Sequence, residues 1–78
     1  MLLEVITPEK TIFNGETTQV QMPGIDGLFG VLHNHAPMIA VLGAGKIKIK
    51  DENNKFQFIE IKGGVVEVLE NKIIVLAD

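Results

Sequence analysis

Apolar and polar residues along this chain alternate over short stretches, and no window holds a helical period. Leu2–Ile6 is a short apolar run, and Pro8-Glu9-Lys10 reads as a turn. Thr11-Ile-Phe13 leads into Asn14-Gly15, a dipeptide that tolerates positive φ and predicts a hairpin turn. From Thr17 to Met22 the chain alternates, with Thr18, Val20 and Met22 on one face and Gln19 and Gln21 on the other. Leu28–Leu32 is a short strand inside a glycine-rich segment, and Ala36–Leu42 is an apolar run between Pro37 and Gly43. Lys46–Lys50 is a half-buried strand with Ile47 and Ile49 inward, followed by a turn at Asp51–Asn54. In Lys55–Lys62, Phe56 and Phe58 fall out of phase with Ile59 and Ile61, which predicts a β-bulge near Phe58-Ile59. Gly63-Gly64 turns the chain again, and Val65–Leu69, Glu70-Asn71 and Lys72–Leu76 form a last hairpin. Turn signals at this density predict an all-β fold, a flattened β-sandwich or barrel of about ten short strands.

Size bounds the answer. With 78 residues the chain is one domain, 1–78, and a domain so small hides only about 60% of the surface its unfolded chain exposes. The apolar share of 46% suffices for one core. There is no cysteine, so neither a disulfide nor a thiolate metal site contributes. Seven lysines, no arginine and a formal charge of −3 argue against nucleic acid as a partner. No apolar run approaches the roughly 20 residues of a membrane helix, and the Met1–Pro8 segment has no basic, signal-like start. The expectation is a soluble protein that docks on a membrane complex.

The most unusual stretch is Met22–Pro37, which gathers glycines, prolines and both histidines. Gly24, Gly27 and Gly30 lack the GxGxxG spacing, and neither Lys-Ser/Thr nor a helix follows, so a shaped turn is expected rather than a phosphate cradle. His33 and His35 share a face if extended, but a metal needs a third ligand and the chain has no other histidine. Loop-shaping or interface roles are expected, with no metal and no cofactor. The chain has no Ser, Cys, Tyr or Arg, and its four threonines lack a base partner, so no catalytic residue is assigned. Glu60, Glu67 and Glu70 fall where solvated faces are expected. Leu28 and Phe29 either form an exposed sticky loop or fold inward, and the sequence leaves both open. A small metal-dependent or carbohydrate-binding enzyme is the competing class; a lipoyl-like carrier lacks a suitably flanked lysine.

Several segments together carry a resemblance. Thr7-Pro-Glu9, Ile12-Phe-Asn-Gly-Glu16, Val20-Gln-Met-Pro-Gly24, Asp26-Gly27, Gly30-Val-Leu32 and His35-Ala-Pro37 occur in the order seen in ATP synthase epsilon subunits. Gly45-Lys-Ile47, Ile61–Val68 and Val75-Leu-Ala-Asp78 continue it across the chain. The resemblance implies a ten-stranded β-sandwich without catalytic activity, part of the rotor of a proton-translocating F-type ATP synthase. It implies two partners: the central-stalk gamma subunit and the polar loops of the membrane c-ring. Carried over by position, Asp26, Gly27, Leu28, Phe29 and His33 match the ring-facing segment, and Thr7, His35 and Pro37 match the gamma-facing side. The implied location is peripheral, on the cytoplasmic side of a bacterial inner membrane, held there through the complex. Most family members continue into a C-terminal helical pair that carries inhibition of hydrolysis and, in some, ATP binding. This sequence stops at Asp78, so it is expected to lack both.

Overall fold

The computed structural model describes residues 1–78 and contains nine strands and no helix. They are β1 (Leu2–Ile6), β2 (Thr11–Glu16), β3 (Gln19–Gly24), β4 (Gly27–Leu32), β5 (Met38–Leu42), β6 (Gly45–Lys50), β7 (Phe56–Ile61), β8 (Gly64–Leu69) and β9 (Lys72–Ala77). Hydrogen-bonded neighbours run β2-β1-β9-β8-β5-β3-β6-β7, with β4 on the other side of β3. Every pairing is antiparallel except β1 with β9.

This continuous sheet folds over itself at one corner. β5 and β3 are joined by a single bridged pair, Gly24 with Leu42. Two backbone bonds flank it: the Gly43 N–H donates to the Pro23 carbonyl at 2.8 Å, and the Ile25 N–H donates to the Val41 carbonyl at 3.2 Å. On one side of the corner lies a five-stranded layer, β2-β1-β9-β8-β5; on the other a four-stranded layer, β4-β3-β6-β7. The fold is thus an all-β sandwich. Its shortest extent of 19 Å fits two sheets about 10 Å apart with side chains outside both.

The inner faces follow from the period of two. Leu3, Val5, Leu42, Val66, Val68, Ile73 and Val75 line the five-stranded layer; Val20, Met22, Val31, Ile47, Ile49 and Ile61 line the other. All belong to one core cluster. Ile47 and Ile49 point inward as the alternating lysines require, at 0% and 1% exposure. Thr17 is the one buried polar residue, and its hydroxyl donates to the Met1 carbonyl at 3.0 Å. That bond offsets the cost of removing a hydroxyl from water.

Three local expectations are corrected. Asn14-Gly15 does not form a turn: both lie within β2, opposite Glu4 and Leu3. The chain instead reverses at Thr7–Lys10, where the Thr7 hydroxyl donates to the Lys10 carbonyl and accepts from the Lys10 N–H. Pro8 stiffens that reversal, so the long-range pairing of β2 with β1 overrides the local preference of Asn-Gly. Thr18 lies outside β3 and is exposed; its hydroxyl donates to the Lys50 carbonyl at 3.2 Å. There is no bulge at Phe58-Ile59, because β6 and β7 stay in register from Gly45–Ile61 to Lys50–Phe56. Phe56 and Phe58 simply face solvent, and the Lys48 ammonium sits 4.5 Å from the Phe56 ring centroid. This cation–π contact makes an outward aromatic tolerable. The only register shift on β1 and β2 falls between Val5 and Ile6.

The Glu70-Asn71 turn has φ of 51° and 63°, the two left-handed residues of a type I′ hairpin. Gly64 has φ +152°, and a Cβ there would run into the Leu76 carbonyl oxygen and reach 2.9 Å from the Ala77 Cα. Gly64→Ala is therefore expected to cost roughly 2–4 kcal/mol through strain and overpacking. A Cβ on Gly30 would meet only the Val20 carbonyl oxygen, at an ordinary 3.9 Å, so Gly30→Ala should stay within about 1 kcal/mol of the parent. Paired denaturant titrations check both values.

Candidate interaction surfaces

The molecule has no deep cleft, so its outer faces are where chemistry with a partner must occur. The outer face of the five-stranded layer is the most unusual. Val41, Val65, Leu76 and Ile6 are successive register partners across β5, β8, β9 and β1. They form one apolar row, in which Leu76 is 55% and Val41 52% exposed. Four strands at about 4.8 Å spacing make this a strip roughly 15 Å long. The next row reads Ile39, Glu67, Ile74 and Glu4, with Ile39 73% exposed. Beyond it come Leu69, Lys72, Leu2 and Glu16. An apolar strip with a charged margin is the anatomy of a protein–protein contact.

Thr7 and Pro37 frame this face. Thr7 follows Ile6 at one end of the apolar row; Pro37 precedes β5, beside Ile39 and Leu69 and away from that row. A shallow hollow of about 400 Å³ there is lined by Pro37, Met38, Ile39, Glu67, Val68 and Leu69. His35 lies in the β4–β5 connection, where its Nδ1–H donates to the Ala36 carbonyl at 2.7 Å and its N–H to the Leu32 carbonyl. Pro37 fixes the backbone beyond it.

The outer face of the four-stranded layer is different in kind. Lys48 and Lys50 stand opposite Phe58 and Phe56, beside Gln21 and Gln19. Lys46 faces Glu60. This face is basic in a chain whose formal charge is −3.

The glycines of the central segment make a tight hairpin between β3 and β4. Gly24 pairs with Gly27 around the two-residue tip Ile25-Asp26. A Cβ on Gly24 would lie 2.7 Å from the Gly27 carbonyl oxygen, and Gly27 has φ +129°, so both positions require glycine. Asp26 is exposed at the tip. Leu28 and Phe29 divide the two alternatives between them. Leu28 points out, 68% exposed, while Phe29 packs against the core. Of the ring-facing set, Asp26, Gly27, Leu28 and Phe29 are brought together. His33 is not with them: it lies past the far end of six-residue β4, roughly 20 Å along the strand.

His33 is held from another side. The Asn71 side-chain carbonyl accepts the Asn34 N–H at 2.9 Å, which leaves its amide nitrogen to donate to His33 Nδ1 at 3.2 Å. Asn71 thus ties the β8–β9 turn to the start of the β4–β5 loop. No group of three or more His, Cys, Asp or Glu side chains is placed to hold a metal ion.

Comparison with known proteins fits this architecture. The family model described as ATP synthase, Delta/Epsilon chain, beta-sandwich domain matches residues 1–78. The chain belongs to this family. An ATP synthase epsilon chain from Chlorobium limicola is 41% identical over 76 residues, covering 97% of this chain and 86% of that protein. The epsilon chain of Campylobacter concisus is 43% identical over 76 residues, and that of Desulfatibacillum aliphaticivorans 45% over 78. This chain spans 59% and 55% of the length of those two relatives. A chain in the cryo-EM structure of the Euglena gracilis mitochondrial ATP synthase, OSCP/F1/c-ring, superposes with a TM-score of 0.93 at 20% identity. That match covers 99% of this chain and 49% of the other, and it establishes the common fold.

The sequence reading of this epsilon-family domain missed the apolar row on the five-stranded layer. A signal was present: β5 (Met38–Leu42) and Ile73–Leu76 lose alternation and read as apolar on both faces. Asn71 was read only as a turn residue. Asn71→Gly keeps the left-handed backbone and removes both side-chain bonds. Faster amide exchange at Asn34 is expected, with the exchange of core strands unchanged, as measured by hydrogen–deuterium exchange NMR.

Proposed function

We propose that this domain, residues 1–78, is a non-catalytic rotor element of a proton-translocating F-type ATP synthase. It links the central-stalk gamma subunit to the c-ring and so helps couple proton flow to ATP synthesis. Its place would be peripheral, on the cytoplasmic side of a bacterial inner membrane, through the assembled complex. The observation that carries this reading is the apolar row Ile6, Leu76, Val65 and Val41 on an otherwise well-formed sheet. A solvent-facing strip of this kind has no role in the core of its own domain and needs a partner.

On this reading gamma covers the outer face of the five-stranded layer, with Thr7 and Pro37 at its margins and His35 shaping the loop beside it. The ring's polar loops meet the β3–β4 hairpin at Asp26, Gly27 and Leu28, while Phe29 anchors that hairpin from inside. His33, at the far end of β4, is not part of that tip. A cross-linked sandwich suits torque transfer, because its sheets are hydrogen-bonded throughout and its two contact surfaces sit on rigid strands. The epsilon-chain relatives and a composition without Ser, Cys, Tyr or Arg support a mechanical rather than a chemical task.

Mixing the domain with purified gamma subunit tests this directly. A one-to-one complex is expected by native mass spectrometry at micromolar concentration. Leu76→Lys should weaken it at least about 30-fold, the scale of a hot-spot loss of about 2 kcal/mol. Stability should move by less than about 0.5 kcal/mol, because Leu76 faces solvent in the free domain. No complex with the parent chain, or full affinity in the variant, contradicts the assignment. For the ring contact, Leu28→Asp alone is the clean probe, since Phe29 packs on the core and its replacement would damage the fold. Leu28→Asp should reduce retention on the ring in a reconstituted complex and leave gamma binding unchanged.

A further inference from the structure

We propose that the free edge of β4 is a strand-pairing site, and that its occupant in the isolated protein is a second copy of the same edge. The proposal stands on backbone geometry and does not rest on the rotor assignment. Successive residues of a strand send their N–H and C=O groups to opposite sides. Pro23 directs its carbonyl away from β4, toward Gly43. Its neighbours Met22 and Gly24 therefore face β4, and their partners Phe29 and Gly27 bond back to β3. By the same alternation Leu28, Gly30 and Leu32 point outward, and no strand pairs with β4 on that side. The Leu32 carbonyl accepts the His35 N–H, and its second lone pair remains open.

Natural sheet edges are guarded by charge, proline or a bulge. β2 ends in Glu16 and runs beside the register shift at Val5-Ile6; β7 carries Glu60. β4 reads Gly-Leu-Phe-Gly-Val-Leu, without a single charge or proline. Gly30 sits at its centre, exposed, with an ordinary backbone and room for a Cβ without a clash. Neither the turn nor the core demands glycine there. Its effect is to leave the backbone approachable.

The edge is complementary to itself. Turned about a two-fold axis through Gly30, Leu28 of one copy lies opposite Leu32 of the other, and Gly30 opposite Gly30. All three outward-pointing positions then meet outward-pointing partners, giving about six new backbone hydrogen bonds. Leu28 and Leu32, 68% and 57% exposed, would pair on the outer face and lose water together. The contact joins two four-stranded layers into one eight-stranded sheet. Its area falls short of the roughly 1,000 Å² of a stable interface, so a weak, reversible dimer is expected.

Sedimentation velocity over about 10 µM to 1 mM tests this, with amide exchange read at both ends of the range. The parent chain should shift from monomer toward dimer, with the Leu28, Gly30 and Leu32 amides gaining protection as concentration rises. Gly30→Pro replaces an outward N–H that the fold does not use, so it should stay folded and remain monomeric throughout. Gly30→Ala retains that N–H and should still dimerise. If Gly30→Pro does not fold, Leu28→Lys supplies the same block by placing a charge on the edge. A chain that stays monomeric at 1 mM overturns the proposal. So does a dimer that survives Gly30→Pro or Leu28→Lys in folded protein, since it must use another face.

Discussion

The joint at Gly24 and Leu42 decides what this molecule is. A sheet of nine short strands that stayed open would leave both faces wet and could not bury a core in so small a chain. One bridged pair and two flanking backbone bonds turn the sheet back over itself. The sequence at the joint matches that task. Pro23 has no N–H to lose, and only its carbonyl is used. Gly45 accommodates Pro23, whose Cβ would otherwise meet a side chain at 2.8 Å. Ile25 and Gly43 close the corner from either side. Everything that follows, including which faces turn out, is set by that fold-over.

Once closed, the sandwich has two outer surfaces of opposite character. The four-stranded layer presents lysines, glutamines and phenylalanines, with the Lys48 and Lys50 ammonium groups over the Phe56 ring. The five-stranded layer presents valines, leucines and isoleucines framed by glutamates and a lysine. The first is a surface that water tolerates. The second is not, and it is the face we propose another protein covers. The β3–β4 hairpin projects from the corner itself, so its tip is braced by the same bonds that close the core. Its position relative to the apolar face is therefore fixed rather than set by a flexible loop.

Much of this was legible in the residues. The alternating lysines at 46, 48 and 50 give β6 and its inward isoleucines directly, and Glu70-Asn71 gives the last hairpin. What escaped did so for identifiable reasons. Asn14-Gly15 has strong local turn chemistry, yet pairing with β1 holds it extended. Phe56 and Phe58 look out of phase only if aromatics must be buried; the lysines across the register make an outward position acceptable. The apolar row was hidden because β5, β8, β9 and β1 each contribute one residue, and only the register aligns them. His33 and Asp26 are close in sequence and far apart in space, because the six residues of β4 run extended between them.

The central claim is that the five-stranded layer, and not the basic one, receives the gamma subunit. Methyl cross-saturation NMR reads this with the fewest assumptions. With gamma irradiated and the domain's methyl groups observed, saturation should concentrate on Ile6, Val41, Val65 and Leu76. Saturation that is absent there while appearing on Leu28 and Leu32, the exposed methyl-bearing residues on the outer face of the four-stranded layer, would contradict the account.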